Sequence, residues 1–157
     1  IIPALWFAST GRDCQWRVVA GAVMPLAKFT WPVRVYYEDT DAGGVVYHSN
    51  YLNFMERART EWLRALGFEQ TEVKDSHGVI IVVHSLSISF KKPAYFNDVL
   101  EIHCDIVKIG HGSIELAQTI TRNGELLINA HVKAAFVNAA TFKPVGIPAQ
   151  IKQAMLN

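Results

Sequence analysis

Cysteine is scarce in this sequence, and the two cysteines that it contains lie far apart. Cys14 is near the start of the 157 residues, Cys104 is in the second half, and neither belongs to a CxxC pair. The spacing predicts neither a zinc site nor a disulfide framework, and it favours a reducing compartment such as the cytoplasm. The six histidines also lack a ligand spacing such as HExxH, so we expect no bound metal.

Long apolar runs and a large excess of one charge are missing as well. No apolar stretch approaches the roughly 18 residues that would suggest a membrane span. The net charge is +1 at pH 7, whereas nucleic-acid-binding domains usually carry a strongly basic face. We therefore expect no nucleic-acid partner. Apolar residues make up 50% of the chain, enough to bury the core of one domain.

The first residues do not read as part of that domain. They are apolar, but no positively charged region precedes them, and Arg12 and Asp13 interrupt the apolar run, so the pattern is not that of a signal peptide. We expect residues 1–23 to be an extension of uncertain origin, either upstream sequence translated in error or residues added for expression. Residues 24–157 are then expected to form the folded domain.

Apolar periodicity predicts one helix among several strands. The segment from Phe29 to Glu38 is rich in β-branched and aromatic residues and predicts a strand. From about Ser49 to Leu66 the apolar spacing is helical, and Gly67 is a natural stop. Alternating residues then predict four further strands, at 85–90, 99–109, 114–120 and 126–136. An Asn123-Gly124 hairpin turn is expected between the last two. A short closing helix is predicted at 149–156.

This element order predicts an α+β fold in two layers. One long amphipathic helix would pack against a curved, mostly antiparallel sheet of five strands. In the last strand Leu126, Ile128 and the alternate residues up to Phe136 are expected to share one face of the sheet. The sheet would keep an exposed edge, which proteins often cover by forming oligomers.

The loop before the helix holds the residues with the most chemical potential. Residues 37–48 (YEDTDAGGVVYH) place carboxylates and glycines between the first strand and the helix N-terminus. Unsatisfied N–H groups there can stabilise an oxyanion, and a carboxylate just upstream can attack a carbonyl or activate water. Ordinary turn and capping chemistry explains the same residues, and spacing alone favours that interpretation.

The loop and the nearby cations also allow other interpretations. A calcium loop starting at Asp39 fails, because position 12 is Asn50 where a bidentate Glu is required. A phosphoaspartate phosphatase would need alternating strands and helices downstream. His48 lies at the helix start, where a simple helix-end role is the favoured reading. Lys91 and Lys92 could meet phosphate groups, or they could simply be a solvated strand end.

A family resemblance decides among these readings. The run YEDTD at 37–41, followed by GVVYH at 44–48 and by Tyr51, resembles the signature of hotdog thioesterases of the 4-hydroxybenzoyl-CoA thioesterase type. The longer run WPVRVYYEDTDAGGVVYHSNYLNFMERARTEWL is similar to the YbgC branch of bacterial acyl-CoA thioesterases, which is associated with the Tol–Pal system. The resemblance covers residues 28–157. It implies the hotdog fold, in which a curved antiparallel five-stranded sheet wraps one long central helix.

The resemblance also implies a reaction and roles for particular residues. The reaction is hydrolysis of acyl-CoA thioesters to free acid and CoA, without a metal or organic cofactor. Asp41 would be the catalytic carboxylate, acting as nucleophile or as general base for water. The backbone N–H of His48 would donate to the oxyanion, and its side chain would assist. The substrate-binding residues implied are Gly44, Val45, Tyr47, Lys91 and Lys92.

Partners and alternatives follow from the same resemblance. Family members form dimers that pair into tetramers, with sites at the subunit interface. A cytoplasmic location, a role in lipid metabolism and contact with the inner membrane through partners are implied. Acyl-carrier protein stays open as the acyl carrier. The alternatives are a non-hydrolytic binding module linked to acyl carrier protein, a hydrolase of acyl thioesters of acyl carrier protein, and a hotdog dehydratase with a catalytic histidine.

Overall fold

The computed structural model of the protein describes residues 28–157. The expected extension at residues 1–23, with Cys14, lies outside the described residues, and the domain boundary at residue 24 stays a prediction. The elements follow one another in the order expected for a strand, helices and then a run of strands. Their bounds are β1 (Phe29–Arg34), α1 (Asn50–Ala65), α2 (Gln70–His77), β2 (Val79–Phe90), β3 (Val99–Ile109), β4 (Ser113–Arg122), β5 (Glu125–Asn138) and α3 (Ala149–Leu156).

The five strands form one sheet in the order β1-β3-β4-β5-β2. Every neighbouring pair is antiparallel, and α1 lies across the inner face of the sheet. β1 and β2 are therefore the two edges. The predicted α+β hotdog arrangement, with one long helix against a five-stranded antiparallel sheet, is confirmed.

α1 forms because its apolar residues recur at helical spacing. Tyr51, Met55, Ala58 and Trp62 follow one another at intervals of three or four residues, and all are buried against the sheet. The helix is followed by Gly67, whose φ of 92° is accessible to glycine without strain. Its first half packs in one core cluster with β1 and β3, and its second half in another with α2 and α3. In the described part of the chain, no helix has the length and apolar character needed to cross a membrane.

Two strand boundaries and one helix differ markedly from the sequence-based expectation. β1 ends at Arg34 rather than at Glu38, because the chain turns into a short 3₁₀ helix at Tyr37–Asp39. β2 begins at Val79, six residues earlier than expected, because its first residues form a continuous apolar run without alternation. α2 was not expected, since it buries only one residue, Val73.

A β-bulge in β5 corrects the predicted alternation of that strand. Ile120 pairs with Ile128 and Thr121 pairs with Leu126, so Leu127 is an extra residue. The insertion shifts the alternation, and Leu127 is fully buried while Leu126 is 41% exposed. The prediction that Leu126 shares one face with Ile128 is therefore wrong, whereas Ile128 and the alternate residues after it are buried on one face.

Turn chemistry at the tip of the last hairpin is confirmed. Asn123 and Gly124 have φ angles of 52° and 80°, the left-handed pair that a two-residue hairpin of type I′ requires. The predicted closing helix at the end of the chain is also present as α3.

Candidate active site

Asp39 anchors the loop between β1 and α1. Its side chain is only 6% exposed. One carboxylate oxygen accepts the backbone N–H of Tyr36 at 2.8 Å, and the other accepts the side-chain amide of Asn50 at 3.0 Å. Its backbone carbonyl accepts the N–H of Tyr47 at 2.8 Å. Asp39 therefore ties the start of the loop to the start of the helix, and its lone pairs are already in use.

Asp41 lies two residues further on and is exposed. Its Oδ1 accepts the backbone N–H of Gly43 at 2.8 Å, which turns the chain at the tip of the loop. A Cβ at Gly43 would lie 3.0 Å from the same oxygen, so glycine at this position leaves room for the carboxylate. The second carboxylate oxygen makes no hydrogen bond with residues 28–157. Asp41 is therefore positioned by the backbone and still has an oxygen free to react.

The loop is docked onto the segment that precedes β3. Val45 forms an isolated bridge with Tyr95, and the Val46 N–H donates to the Ala94 carbonyl at 2.9 Å. The Ala94 N–H donates in turn to the Tyr51 hydroxyl at 3.0 Å. Burial raises the pKa of Tyr51, so the hydroxyl stays protonated at neutral pH. This chain of contacts fixes the loop relative to the first turn of α1.

His48 lies at the entrance to α1 with an unused backbone donor. No group of residues 28–157 accepts a hydrogen bond from its N–H. Its side chain is exposed, and its ring lies 4.4 Å from the ring of Tyr47, centroid to centroid. The partial positive charge of a helix N-terminus is directed at the same place. A carbonyl oxygen that gains negative charge would be stabilised here.

An open groove of about 260 Å³ begins at His48. Tyr51 forms part of its wall, and the ring of Phe90 at the end of β2 lies 5.9 Å from the Tyr51 ring. Bulged Leu127 fixes the far side, because its carbonyl accepts the N–H groups of Lys91 and Lys92. The complete lining is Val46, His48, Tyr51, Phe90, Lys91, Lys92 and Pro93.

The two lysines of the groove differ in their partners. The Lys92 ammonium pairs with Glu125, whose other oxygen accepts from Arg122 at 3.0 Å. Arg122 also donates to Asp98 at 2.7 Å, so the pairs form one network at the surface. The hydrogen bonds from Lys92, and then from Arg122, lower the pKa of Glu125. Lys91 has no carboxylate partner among the described residues.

The structure brings together only part of the predicted site. His48, Lys91 and Lys92 line one groove, whereas Asp41, Gly44, Val45 and Tyr47 lie on the adjoining loop and do not line it. Sequence analysis had not assigned Phe90 or Asn50 to this region. The position of Phe90 directly before the two lysines was the one available signal, but β2 and α1 are too far apart in sequence for spacing to connect them. No cluster of three or more His, Cys, Asp or Glu side chains that could hold a metal occurs in residues 28–157.

Comparison with known proteins decides the family. A family model described as the thioesterase-like superfamily matches residues 35–155. The chain belongs to this superfamily. The thioesterase class expected from the sequence is thereby confirmed, and the matched range contains the whole loop and every residue of the groove.

Individual thioesterases resemble the chain over most of its length. The acyl-CoA thioesterase YbgC of Haemophilus influenzae is 44% identical over 126 residues, which is 80% of this chain and 93% of that protein. The acyl-CoA thioesterase YbgC of Helicobacter pylori is 36% identical over 129 residues, 76% of this chain and 94% of that protein. The crystal structure of a probable thioesterase from Bartonella henselae superposes with a TM-score of 0.74 at 35% identity, covering 78% of this chain and all of that one. The expected similarity to the YbgC branch is therefore confirmed.

Proposed function

We propose that the protein hydrolyses acyl-CoA thioesters to the free acid and CoA. The observation that carries the proposal is that the loop leading into α1 presents two groups with unused hydrogen-bonding capacity. The exposed carboxylate of Asp41 is held by Gly43, and the N–H of His48 has no acceptor among the described residues. A carboxylate and an oxyanion donor are what acyl transfer at a carbonyl requires. The acyl-CoA thioesterases that the chain resembles support the assignment.

The reaction proceeds at the entrance of α1. The thioester carbonyl oxygen accepts from the His48 N–H, and the negative charge that develops on it is stabilised by the helix N-terminus. Asp41 either attacks the carbonyl carbon, giving a mixed anhydride that water then cleaves, or removes a proton from the attacking water. In both cases the carbon–sulfur bond breaks, and the CoA thiolate leaves and takes up a proton. Neither route uses a metal or organic cofactor.

CoA lies along the groove, with its phosphates near the lysines. The Lys91 ammonium has no carboxylate partner in residues 28–157, so it meets a phosphate without first giving up a partner there. Tyr47, Gly44 and Val45 line the thioester on the loop side. The same basic rim would also attract the acidic surface of an acyl carrier protein, which is the second candidate carrier.

The active unit is an oligomer whose site lies at a subunit interface. β2 is an edge strand, and three of its inner side chains are exposed: Val83 at 51%, Leu86 at 37% and Phe90 at 51%. An apolar edge of this length favours pairing with a second chain. Because Phe90 also lines the groove, a second copy paired along β2 would complete its wall. Dimers then pair into tetramers, and light scattering measures the mass directly.

The proposal extends to the location of the protein and its partners. Similarity to the YbgC branch supports a cytoplasmic enzyme of lipid metabolism that meets the Tol–Pal system at the inner membrane. Cys104, a buried free thiol, suits a reducing compartment. Fractionation of cells with and without the Tol–Pal proteins tests the association. The membrane-bound fraction of the enzyme should fall when the Tol–Pal proteins are removed.

Thiol release from a panel of acyl-CoA esters tests the activity. Short aliphatic, long aliphatic and aromatic esters are compared for the wild type, for Asp41→Asn and for Asp75→Asn, an exposed carboxylate on α2 that serves as the control. We expect release by the wild type and the control and its loss in Asp41→Asn. A panel on which the wild type releases no thiol would remove the CoA assignment, and an acyl-carrier-protein ester is then the next substrate to test.

A hydroxyacyl ester in the same panel separates hydrolysis from dehydration. A thioesterase releases the thiol and leaves the hydroxyl in place, whereas a dehydratase makes an enoyl product and keeps the thioester intact. Chromatography of the products distinguishes the two reactions.

A further inference from the structure

A second cavity lies further along α1, away from the groove. It is a pocket of about 110 Å³ between α1 and the inner side of β2, and its walls are mainly apolar. Arg59 enters it from the helix with a guanidinium group that the proposed reaction does not use. The complete lining is Glu56, Arg59, Trp62, Leu63, Gln70, Ile81, Val83, Ile114, Leu116 and Ala134.

Arg59 has a neutral partner and no carboxylate. Its Nη1 donates to the side-chain oxygen of Gln118 at 2.7 Å. Gln118 is fully buried, and its amide donates to the Met55 carbonyl at 3.1 Å and to the Cys104 sulfur at 2.9 Å, so it is fixed in place. No carboxylate of residues 28–157 lies within 4.0 Å of the guanidinium. The charge is therefore held at one position without an opposite charge beside it.

Glu56 does not neutralise this charge. It also lines the pocket, but its carboxylate accepts the hydroxyl of Thr60 at 2.8 Å and forms no ion pair with Arg59. Burial lowers the pKa of Arg59, and the negative charge of Glu56 offsets this only in part. Guanidinium has five N–H donors, and most of those on Arg59 make no hydrogen bond with residues 28–157. A ligand with a carboxylate would supply the missing negative charge and accept two parallel hydrogen bonds from the guanidinium.

Apolar side chains of β2 lie between the groove and the pocket. His48 and Arg59 are eleven residues apart, which corresponds to about 16 Å along a helix. Leu86, Ile88 and Phe90 of β2 lie on the inner face of the sheet over this distance and lead from the groove to Val83 at the pocket. An acyl chain of medium length fits this separation, with its thioester at His48 and its far end at Arg59.

We propose that this pocket receives the far end of the acyl group and that Arg59 binds a carboxylate there. The preferred substrates would then be CoA esters of dicarboxylic acids, whose second carboxylate lies at the distal end of a medium chain. This inference rests on the proposed function, and it names the substrate class of the same site. Arg59 acts as a specificity residue, since it lies far from the reacting carbonyl.

Matched esters test the proposal. Thiol release is measured for a medium-chain alkanoyl-CoA and for the CoA ester of the dicarboxylic acid with the same number of carbons. The wild type is compared with Arg59→Gln, Arg59→Lys and Arg57→Gln, an exposed arginine of the same helix that serves as the control. Calorimetry on Asp41→Asn measures binding of the same two esters without turnover.

We expect the wild type and Arg57→Gln to prefer the dicarboxylic ester by about tenfold or more in kcat/KM, as a charged hydrogen bond in an apolar pocket allows. Arg59→Gln should abolish this preference, because it lowers kcat/KM for the dicarboxylic ester by more than for the alkanoyl ester, whereas Arg59→Lys should retain part of the preference. A wild type that favours the alkanoyl ester overturns the proposal, as does an equal loss on both esters in Arg59→Gln. If neither ester is hydrolysed, the proposed function fails. Calorimetry then tests the role of Arg59 by itself, because tighter binding of the dicarboxylic ester than of the alkanoyl ester supports it and equal binding overturns it.

Discussion

Two carboxylates two residues apart in one loop have opposite surroundings. Asp39 is buried, and both of its oxygens accept hydrogen bonds that join the loop to α1. Asp41 is exposed, accepts one backbone N–H and keeps the rest of its carboxylate free. The first carboxylate is part of the scaffold, and the second is available to react. A rigid loop that presents one unused group is the arrangement expected of a catalytic carboxylate.

The lysines of the groove repeat this contrast. Lys92 is bound to Glu125 in a surface network, whereas Lys91 has no carboxylate partner among the described residues. In both pairs of neighbours, one charge is used by the fold and the other is left for a ligand. The same substitution should therefore have different effects at Asp39 and Asp41, and likewise at Lys91 and Lys92.

Replacing Asp39 should cost the most stability. In the wild type two N–H donors face the carboxylate oxygens of Asp39. In Asp39→Asn one of these donors would face an amide N–H₂ instead, and a buried polar group left unsatisfied costs about 1–3 kcal/mol. Urea denaturation should show this loss, whereas Asp41→Asn should unfold within about 0.5 kcal/mol of the wild type. Equal losses in the two variants would contradict the division of roles.

Adding a methyl group at Gly43 should disturb Asp41 without unfolding the loop. The new Cβ would lie 3.0 Å from Oδ1 of Asp41, so the carboxylate must shift. We expect Gly43→Ala to lower kcat by about tenfold, since small displacements of a reacting group have effects of this order or larger. Ala42→Ser, at an exposed position in the same loop, is the control for steady-state assays, and unchanged kcat in Gly43→Ala would argue against the proposed geometry.

The lysines should differ in their effect on KM. Lys91→Gln removes a free charge and should raise the KM for CoA esters by a few-fold, with kcat unchanged, because an exposed charge contributes about 1 kcal/mol or less. Lys92→Gln should raise KM less, since Lys92 is already paired. Assays in increasing salt provide the check, because the difference should shrink as screening grows. A larger effect at Lys92 would reverse the assignment.

The smallest effect concerns pH and the network around Glu125. Lys92 and Arg122 hold the pKa of Glu125 below its ordinary value. A lowered folded pKa stabilises the protein above the ordinary pKa of about 4.3, and this stabilisation is lost as pH falls through the folded pKa. Glu125→Gln should therefore be slightly less stable than the wild type at pH 7, with the difference vanishing in acid. A difference that grows in acid would contradict the direction of the shift.

Much of the architecture follows from periodicity, and the exceptions have local causes. α1, β3 and the Asn123-Gly124 turn were predicted because each carries its own repeating or turn signal. The bulge at Leu127 depends on how β4 and β5 pair, which alternation in one strand does not reveal. α2 escaped prediction because it buries a single residue.

The site was predictable only in part for a related reason. Spacing alone did not distinguish Asp41 from Asp39, and only the family resemblance selected the second. The groove requires Phe90 to lie beside Tyr51, a contact between distant segments. Arg59 lies in a stretch of α1 rich in charged residues, which gives no sign of a pocket, and its hydrogen bond to Gln118 holds it in one.

Thiol release by Asp41→Asn and Asp39→Asn, compared at temperatures where both variants are fully folded, tests the central claim most directly. The account predicts that Asp41→Asn loses about 100-fold or more in kcat, as removal of a catalytic acid–base group does. Asp39→Asn should retain most of its turnover under the same conditions. Full turnover by Asp41→Asn, or a loss confined to Asp39→Asn, would contradict the assignment of Asp41 as the catalytic carboxylate.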